Sequence, residues 1–133
     1  MKLRYLTLAM SMAALFCFQS VTFAQQLVSG QPLAISGTSG GTVDSGDCGY
    51  IATTPNHLIQ LPEDFPYVRF LVQTQGAPTL LIQGPGGRYC VLPGSDGLLQ
   101  FSGYGTQGNY QIFIGDRNQG QHSYRLSVSD QRQ

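Results

Sequence analysis

From Gln31 onward, large apolar residues recur at every second position in short runs, broken by glycine and proline. Gln31–Gly37 turns Leu33 and Ile35 to one side, and Thr38–Gly49 is a loop almost free of large apolar residues. His57–Leu61 is a short run ended by Pro62-Glu63-Asp64. Tyr67–Thr74 alternates well, with Val68, Phe70 and Val72 on one face and Arg69, Leu71 and Gln73 on the other. In Thr79–Gln83, Leu80 and Ile82 share a face, and Leu81 shows that the opposite face is not fully wet. Gly84-Pro85-Gly86-Gly87 is a turn, because glycine admits the positive φ that tight turns require. Arg88–Leu92, Leu98–Phe101, Asn109–Ile114 and His122–Val128 complete the set, the last two with Tyr110, Ile112, Ile114 and Tyr124, Leu126, Val128 inward.

A period of two predicts strands, and no stretch after Ala24 sustains the 3.6-residue period of a helix. About seven or eight short strands at intervals of roughly ten residues predict an all-β chain folded as an antiparallel, jelly-roll-like β-sandwich. The sandwich should span residues 31–129, after a flexible segment 25–30 and before a disordered tail 130–133.

The first residues follow other rules. Lys2 and Arg4 precede an apolar run to Phe18, and Val21-Thr22-Phe23-Ala24 follows. This is the layout of a signal peptide, 1–24, forming a helix and cut after Ala24. The run is too short and interrupted for a membrane span of about 20 residues, although an uncleaved anchor is the alternative. Cys17 follows Leu15 and Phe16, not the small residues a lipidated cysteine wants, so it leaves with the peptide.

Cleavage changes the composition that matters. All seventeen glycines and all seven prolines remain. Five arginines face seven acids, a net charge of about −2 with no basic stripe, which argues against a nucleic-acid partner. Two cysteines remain, Cys48 and Cys90, and in an oxidising compartment an even pair reads as one disulfide. The alternative, a reactive thiol pair, lacks the C-x-x-C spacing. Localisation is therefore expected to be periplasmic or secreted.

Candidate chemistry is sparse. Gly37-Thr38-Ser39-Gly40-Gly41 matches G-x-S-x-G, but the nucleophile elbow needs a following helix in a much larger sheet. His57 or His122 could act as a base oriented by Asp44, Asp47 or Asp64; we read both as partly buried, hydrogen-bonded histidines. Cys48, His57, Cys90 and His122 have the types for zinc but not the paired spacing. Asp44 and Asp47 could serve calcium, yet the calcium-loop pattern is absent. No cofactor or metal is called for, and no catalytic residue is assigned. The surface candidates are aromatic: Tyr50, Tyr89 and Tyr104 in or beside glycine-rich loops, with Arg88, Asp116, Arg117 and Asn118 in other turns. Tyrosine faces with amide and guanidinium donors suit a sugar ring or a protein partner. The alternative is that these tyrosines cap the core.

Four local patterns in order carry a family likeness. They are Tyr67-Val68-Arg69-Phe70-Leu71-Val72, Thr79-Leu80-Leu81-Ile82-Gln83-Gly84-Pro85-Gly86-Gly87, Gly108-Asn109-Tyr110-Gln111-Ile112-Phe113-Ile114 and Tyr124-Arg125-Leu126-Ser127-Val128. From about Gln31 to Val128 the chain resembles the bacterial pre-peptidase C-terminal domain. The resemblance implies a small non-catalytic β-sandwich, linked to extracellular polymers or to protease maturation. The chain departs from that family where acidic residues would precede the Pro-Gly turn: Gln83 stands there, and only Asp96 follows. The expected function is an exported binding or structural module acting on a glycan, an extracellular polymer or an exported protein. The alternatives are a partner or inhibitor of an exported protease and, last, a small hydrolase.

Overall fold

The computed structural model describes residues 24–132, so the signal peptide and its helix lie outside the described residues. Eleven strands follow in order: β1 (Gln25–Gln26), β2 (Leu33–Thr38), β3 (Val43–Asp44), β4 (Tyr50–Ile51), β5 (His57–Leu61), β6 (Phe65–Thr74), β7 (Pro78–Gly84), β8 (Gly87–Val91), β9 (Leu99–Gly105), β10 (Gly108–Asp116) and β11 (Ser123–Ser129). They form two sheets. One runs β2-β11-β6-β9. The other is centred on β10, with β7 and then β8 along one side. The other side of β10 pairs with β5 over Gly108–Ile112 and with β4 at Asp116; β1 lies outside β5, and β3 outside β4.

The alternation that predicts these strands also makes the core. Val68, Phe70 and Val72 of one sheet meet Leu80, Ile82, Ile112 and Ile114 of the other, with Tyr124, Leu126 and Val128 completing the inner face. Each fully buried Leu, Ile or Val contributes about 1.5–3 kcal/mol by leaving water. This is a β-sandwich, antiparallel except for the β1–β5 pair.

Several boundaries move. The segment expected to be flexible, 25–30, is held: Gln25 and Gln26 pair with Ile59 and Gln60, and Leu27 is fully buried. Its end is held by the expected tail, since the Asp130 carboxylate accepts from the Gly30 amide and the Ser29 hydroxyl at 3.1 Å. Arg132 lies 4.7 Å over the Tyr67 ring. Its two apolar residues, Leu27 and Val28, are adjacent and carry no period, which is why pattern alone leaves this segment loose. β6 starts earlier, at Phe65, and β9 runs on to Gly105 through two glycines.

The second face of the β7–β10 pair is also covered. Leu81, Cys90 and Phe113 are neighbours across β7, β8 and β10, and Cys48 and Ile51 pack on them as a second small cluster. Cys48 and Cys90 are joined, with Cα atoms 5.7 Å apart, inside the range a disulfide needs. The loop over this face closes tightly. Gly49 sits at φ +69°, and a Cβ there would meet the Asp116 carbonyl at 2.5 Å. The buried Thr79 hydroxyl donates to the Cys48 carbonyl at 2.6 Å. Leu81 is therefore dry on the outside because the disulfide loop covers it.

Candidate functional site

β9 and β8 are the edge strands of the two sheets and face each other across the mouth of the sandwich. The inward positions of β9 are Leu99, Phe101, Gly103 and Gly105. The first two fill the core, Phe101 stacking 5.1 Å from the Tyr89 ring of β8. Gly105 is needed for close packing, because a Cβ there would lie 2.7 Å from Leu61 and Val68. Gly103 is different: a Cβ would meet nothing within 4 Å, and its φ is ordinary for any residue. The missing side chain leaves a cavity of about 260 Å³, walled by Phe70, Tyr89, Phe101, Tyr104 and Tyr110 among others.

The polar atoms at this cavity point their hydrogens elsewhere. Tyr89 donates to the Gly86 carbonyl at 3.0 Å, and Tyr110 to the Thr106 carbonyl at 2.6 Å. Tyr104, 64% exposed, lies beside Asp64, whose carboxylate pushes that phenol's pKa up. Asp64 is itself fixed by the Gln107 amide at 2.7 Å. Burial, more than any neighbour, raises Tyr110 as well. The walls are apolar and the polar rim offers acceptors.

Of the seven surface candidates, only Tyr89 and Tyr104 meet here. The other five fall at two separate places. Arg88 points to the outer face beside the disulfide, where it forms a two-pronged pair with Asp47 at 2.7 Å. That pair lowers the Asp47 pKa, chiefly through the hydrogen bond. Tyr50 pairs with Asp116 at the junction of β4 and β10. Asp116, 1% exposed, accepts from the Asn118 amide at 2.8 Å, and the Arg117 amide donates to Ala77. Asp116 is thus a buried loop anchor rather than a surface group. Alternation places Arg88 and Tyr89 on opposite faces of one strand, so sequence adjacency misleads there. Sequence reasoning misses Phe101, Gly103 and Gly105, and offers Asp64 only to a histidine; the available signal was the alternation of glycine with bulky residues along 101–105.

The alternative chemistries separate on geometry. Ser39 is 1% exposed, and its hydroxyl accepts from the His122 backbone amide at 3.1 Å. His122 Nδ1 stands 3.3 Å from the Asp116 carboxylate, close enough for charge attraction but misaligned for a hydrogen bond. Serine, histidine and aspartate therefore meet, but the serine is turned to the backbone and shielded from any substrate. His122 is partly buried, as expected, but its buried ring nitrogen has no hydrogen-bond partner. His57 is oriented by no aspartate. Its Nε2 shares a 2.5 Å hydrogen bond with the Tyr124 hydroxyl across the sandwich. Burial lowers the His57 pKa and pushes Tyr124 up to about 12. Cys48 and Cys90 hold each other, and among the described residues no three His, Cys, Asp or Glu side chains gather as metal ligands would. Asp44 caps the Gly46 amide while Asp47 holds Arg88, so these two carboxylates diverge.

No family model matches the chain. Over 84% of its length it superposes on the pre-peptidase C-terminal domain of a collagenase from Bacillus anthracis, covering 99% of that domain at a TM-score of 0.56. At 13% identity this establishes the shared β-sandwich fold alone. A protein of Synechococcus elongatus, described only as uncharacterised, is 41% identical over 101 residues, 73% of this chain and 75% of that one. The chain belongs to the family of that Synechococcus protein, on a pre-peptidase C-terminal-like sandwich.

Proposed function

We propose that the chain is a non-catalytic binding module, exported to the periplasm or beyond, and that the cavity between β8 and β9 receives an apolar or aromatic group of its partner. The observation that carries this is Gly103. Neither backbone conformation nor packing requires glycine there, and a larger side chain would fill the space and stabilise the core. The space is smaller than the ~300–1,000 Å³ of a drug-sized site, and suits one side chain. A sugar ring wants donors around its edge, and the arginines and the asparagine that could supply them lie elsewhere. A protein side chain fits better than a glycan.

Amide NMR of the mature domain, titrated separately with p-cresol and methyl glucoside, tests this. We expect p-cresol to shift Tyr89, Phe101, Gly103 and Tyr104, and Gly103→Leu to abolish the shifts while raising the thermal midpoint. Shifts with the glucoside alone would overturn the protein-partner assignment, and shifts with neither would rule the cavity out as a binding site. Export is tested by the mass of periplasmic protein, expected to begin at Gln25.

A further inference from the structure

Among the described residues, β9 is bonded on one side only. It pairs with β6, and alternate residues of Leu99–Gly105 turn their N–H and C=O groups to an open edge. Native edges are commonly guarded by charge, proline or a bulge against pairing with another chain. β9 has neither a charged residue nor a proline, and the one register shift in its pairing falls at the Phe65 end. β2, at the other edge of the same sheet, is also uncharged. Its inward residues Leu33 and Ile35 pack on the core, and a Cβ at its inward glycine, Gly37, would run into the Tyr124 hydroxyl. Among the described strands of this sheet, only β9 joins an unguarded edge to a vacant inward position.

The outward side of this edge carries both signs of charge: Arg69 of β6 lies opposite Ser102, and Glu63 and Asp64 stand in the turn just before β6. Glu63 and Asp64 are exposed, and no cation pairs with either among the described residues. Asp64 stands beside the Tyr104 ring, which faces solvent. A strand laid along β9 would run about 4.8 Å away, with successive side chains alternating inward and outward. One of its residues would meet the cavity, and the next would meet Tyr104 and Asp64. An aromatic face and a carboxylate together suit a cation.

Resting on the cavity reading above, we propose that the partner presents an extended polypeptide segment with an apolar or aromatic residue next to a lysine or arginine. The segment pairs with β9 as a fifth strand of the four-stranded sheet. Its apolar side chain enters the cavity over Gly103, and its cation stands against Tyr104 and Asp64.

The test is fluorescence anisotropy of the mature domain with a fluorescein-labelled peptide, Thr-Val-Thr-Phe-Lys-Val-Thr-Ser. Two further peptides carry N-methyl groups on alternate amides, one set in each register. Strand addition predicts that one methylated set weakens binding about tenfold or more while the other binds like the parent. Exchanging the peptide's lysine for glutamate should weaken binding to the native protein, and Asp64→Asn should shrink that difference. If Gly103→Leu abolishes peptide binding but both methylated sets bind like the parent, strand addition is overturned and the cavity reading stands. Strand addition is likewise overturned, and the cavity reading kept, if p-cresol binds and no peptide does. If p-cresol also fails to bind, the cavity reading itself falls.

Discussion

Reducing the Cys48–Cys90 bond should lower stability by about 4 kcal/mol without unfolding the domain. The two residues are 42 apart in sequence. In the chain-entropy model a closed loop of that size removes about 13 cal/mol/K from the unfolded chain, or about 4 kcal/mol at 25 °C. A domain of this length has about 5–15 kcal/mol in total, so the loss is a large share but leaves the fold standing in the upper part of that range. Local bonds keep the loop in place without the bridge. Thr79 holds the Cys48 carbonyl, the Ser45 hydroxyl accepts from the Cys48 amide at 2.9 Å, and Tyr50 pairs with Asp116. The native state should therefore look alike oxidised and reduced, the difference residing in an expanded unfolded chain. Urea denaturation followed by circular dichroism, with and without reductant, measures both parts. The midpoint should fall and the slope should rise, because more surface is exposed on unfolding. A reduced protein within about 1 kcal/mol of the oxidised one would refute the entropic account. A loss of native signal before any denaturant would refute the claim that the loop is held locally.

Thr79→Val keeps the shape but leaves the buried Cys48 carbonyl without its donor, and should cost about 1–3 kcal/mol in the same urea assay. The two glycines of β9 should respond oppositely. Gly105→Ala forces a contact with Leu61 and Val68 and should cost about 1–3 kcal/mol, whereas Gly103→Ala enters open space and should gain about 0.4–1 kcal/mol by restricting the unfolded chain. Stability should also vary with pH through the His57–Tyr124 pair. The folded protein binds fewer protons at His57 than the unfolded chain, so stability is full above about 6.5 and falls as pH drops toward the lowered folded value. Tyr124 is raised from 10.0 to about 12, so stability is full below pH 10 and falls as pH rises between those values. Urea midpoints from pH 5 to 8 should flatten in His57→Gln, and an unchanged slope there would place the acid sensitivity elsewhere.

Much of the sandwich was legible because burial on one face imposes a period of two. Val68, Phe70 and Val72 could only point together, and so could Tyr110, Ile112 and Ile114. The strands missed or shortened were those where that rule has little to act on. Gln25–Gln26, Val43–Asp44 and Tyr50–Ile51 are two residues each, and β9 hides half its inward face in glycine. The candidate site was half visible for the same reason. Tyr89 and Tyr104 stood out as aromatics, but an empty position at Gly103 has no side chain to announce it. Arg117 and Asn118 were grouped with them because loop residues carry no period to orient them, and Arg88 and Asp116 because each stands at a strand end beside a turn.

Sequence alone sets the strands and their inner faces, since alternation and turn chemistry act over a few neighbouring residues. It also determined that one cysteine pair follows Ala24. Tertiary packing set where those faces meet. It put the cysteine pair over Leu81 and Phe113, sealing a second dry face, and set Ser39, His122 and Asp116 side by side with the serine turned away. It also set β8 and β9 at the same mouth, where a glycine on one strand leaves a hollow roofed by tyrosines from three. These outcomes depend on which strand lies beside and across from which, and contacts between residues far apart in sequence leave no local pattern to read.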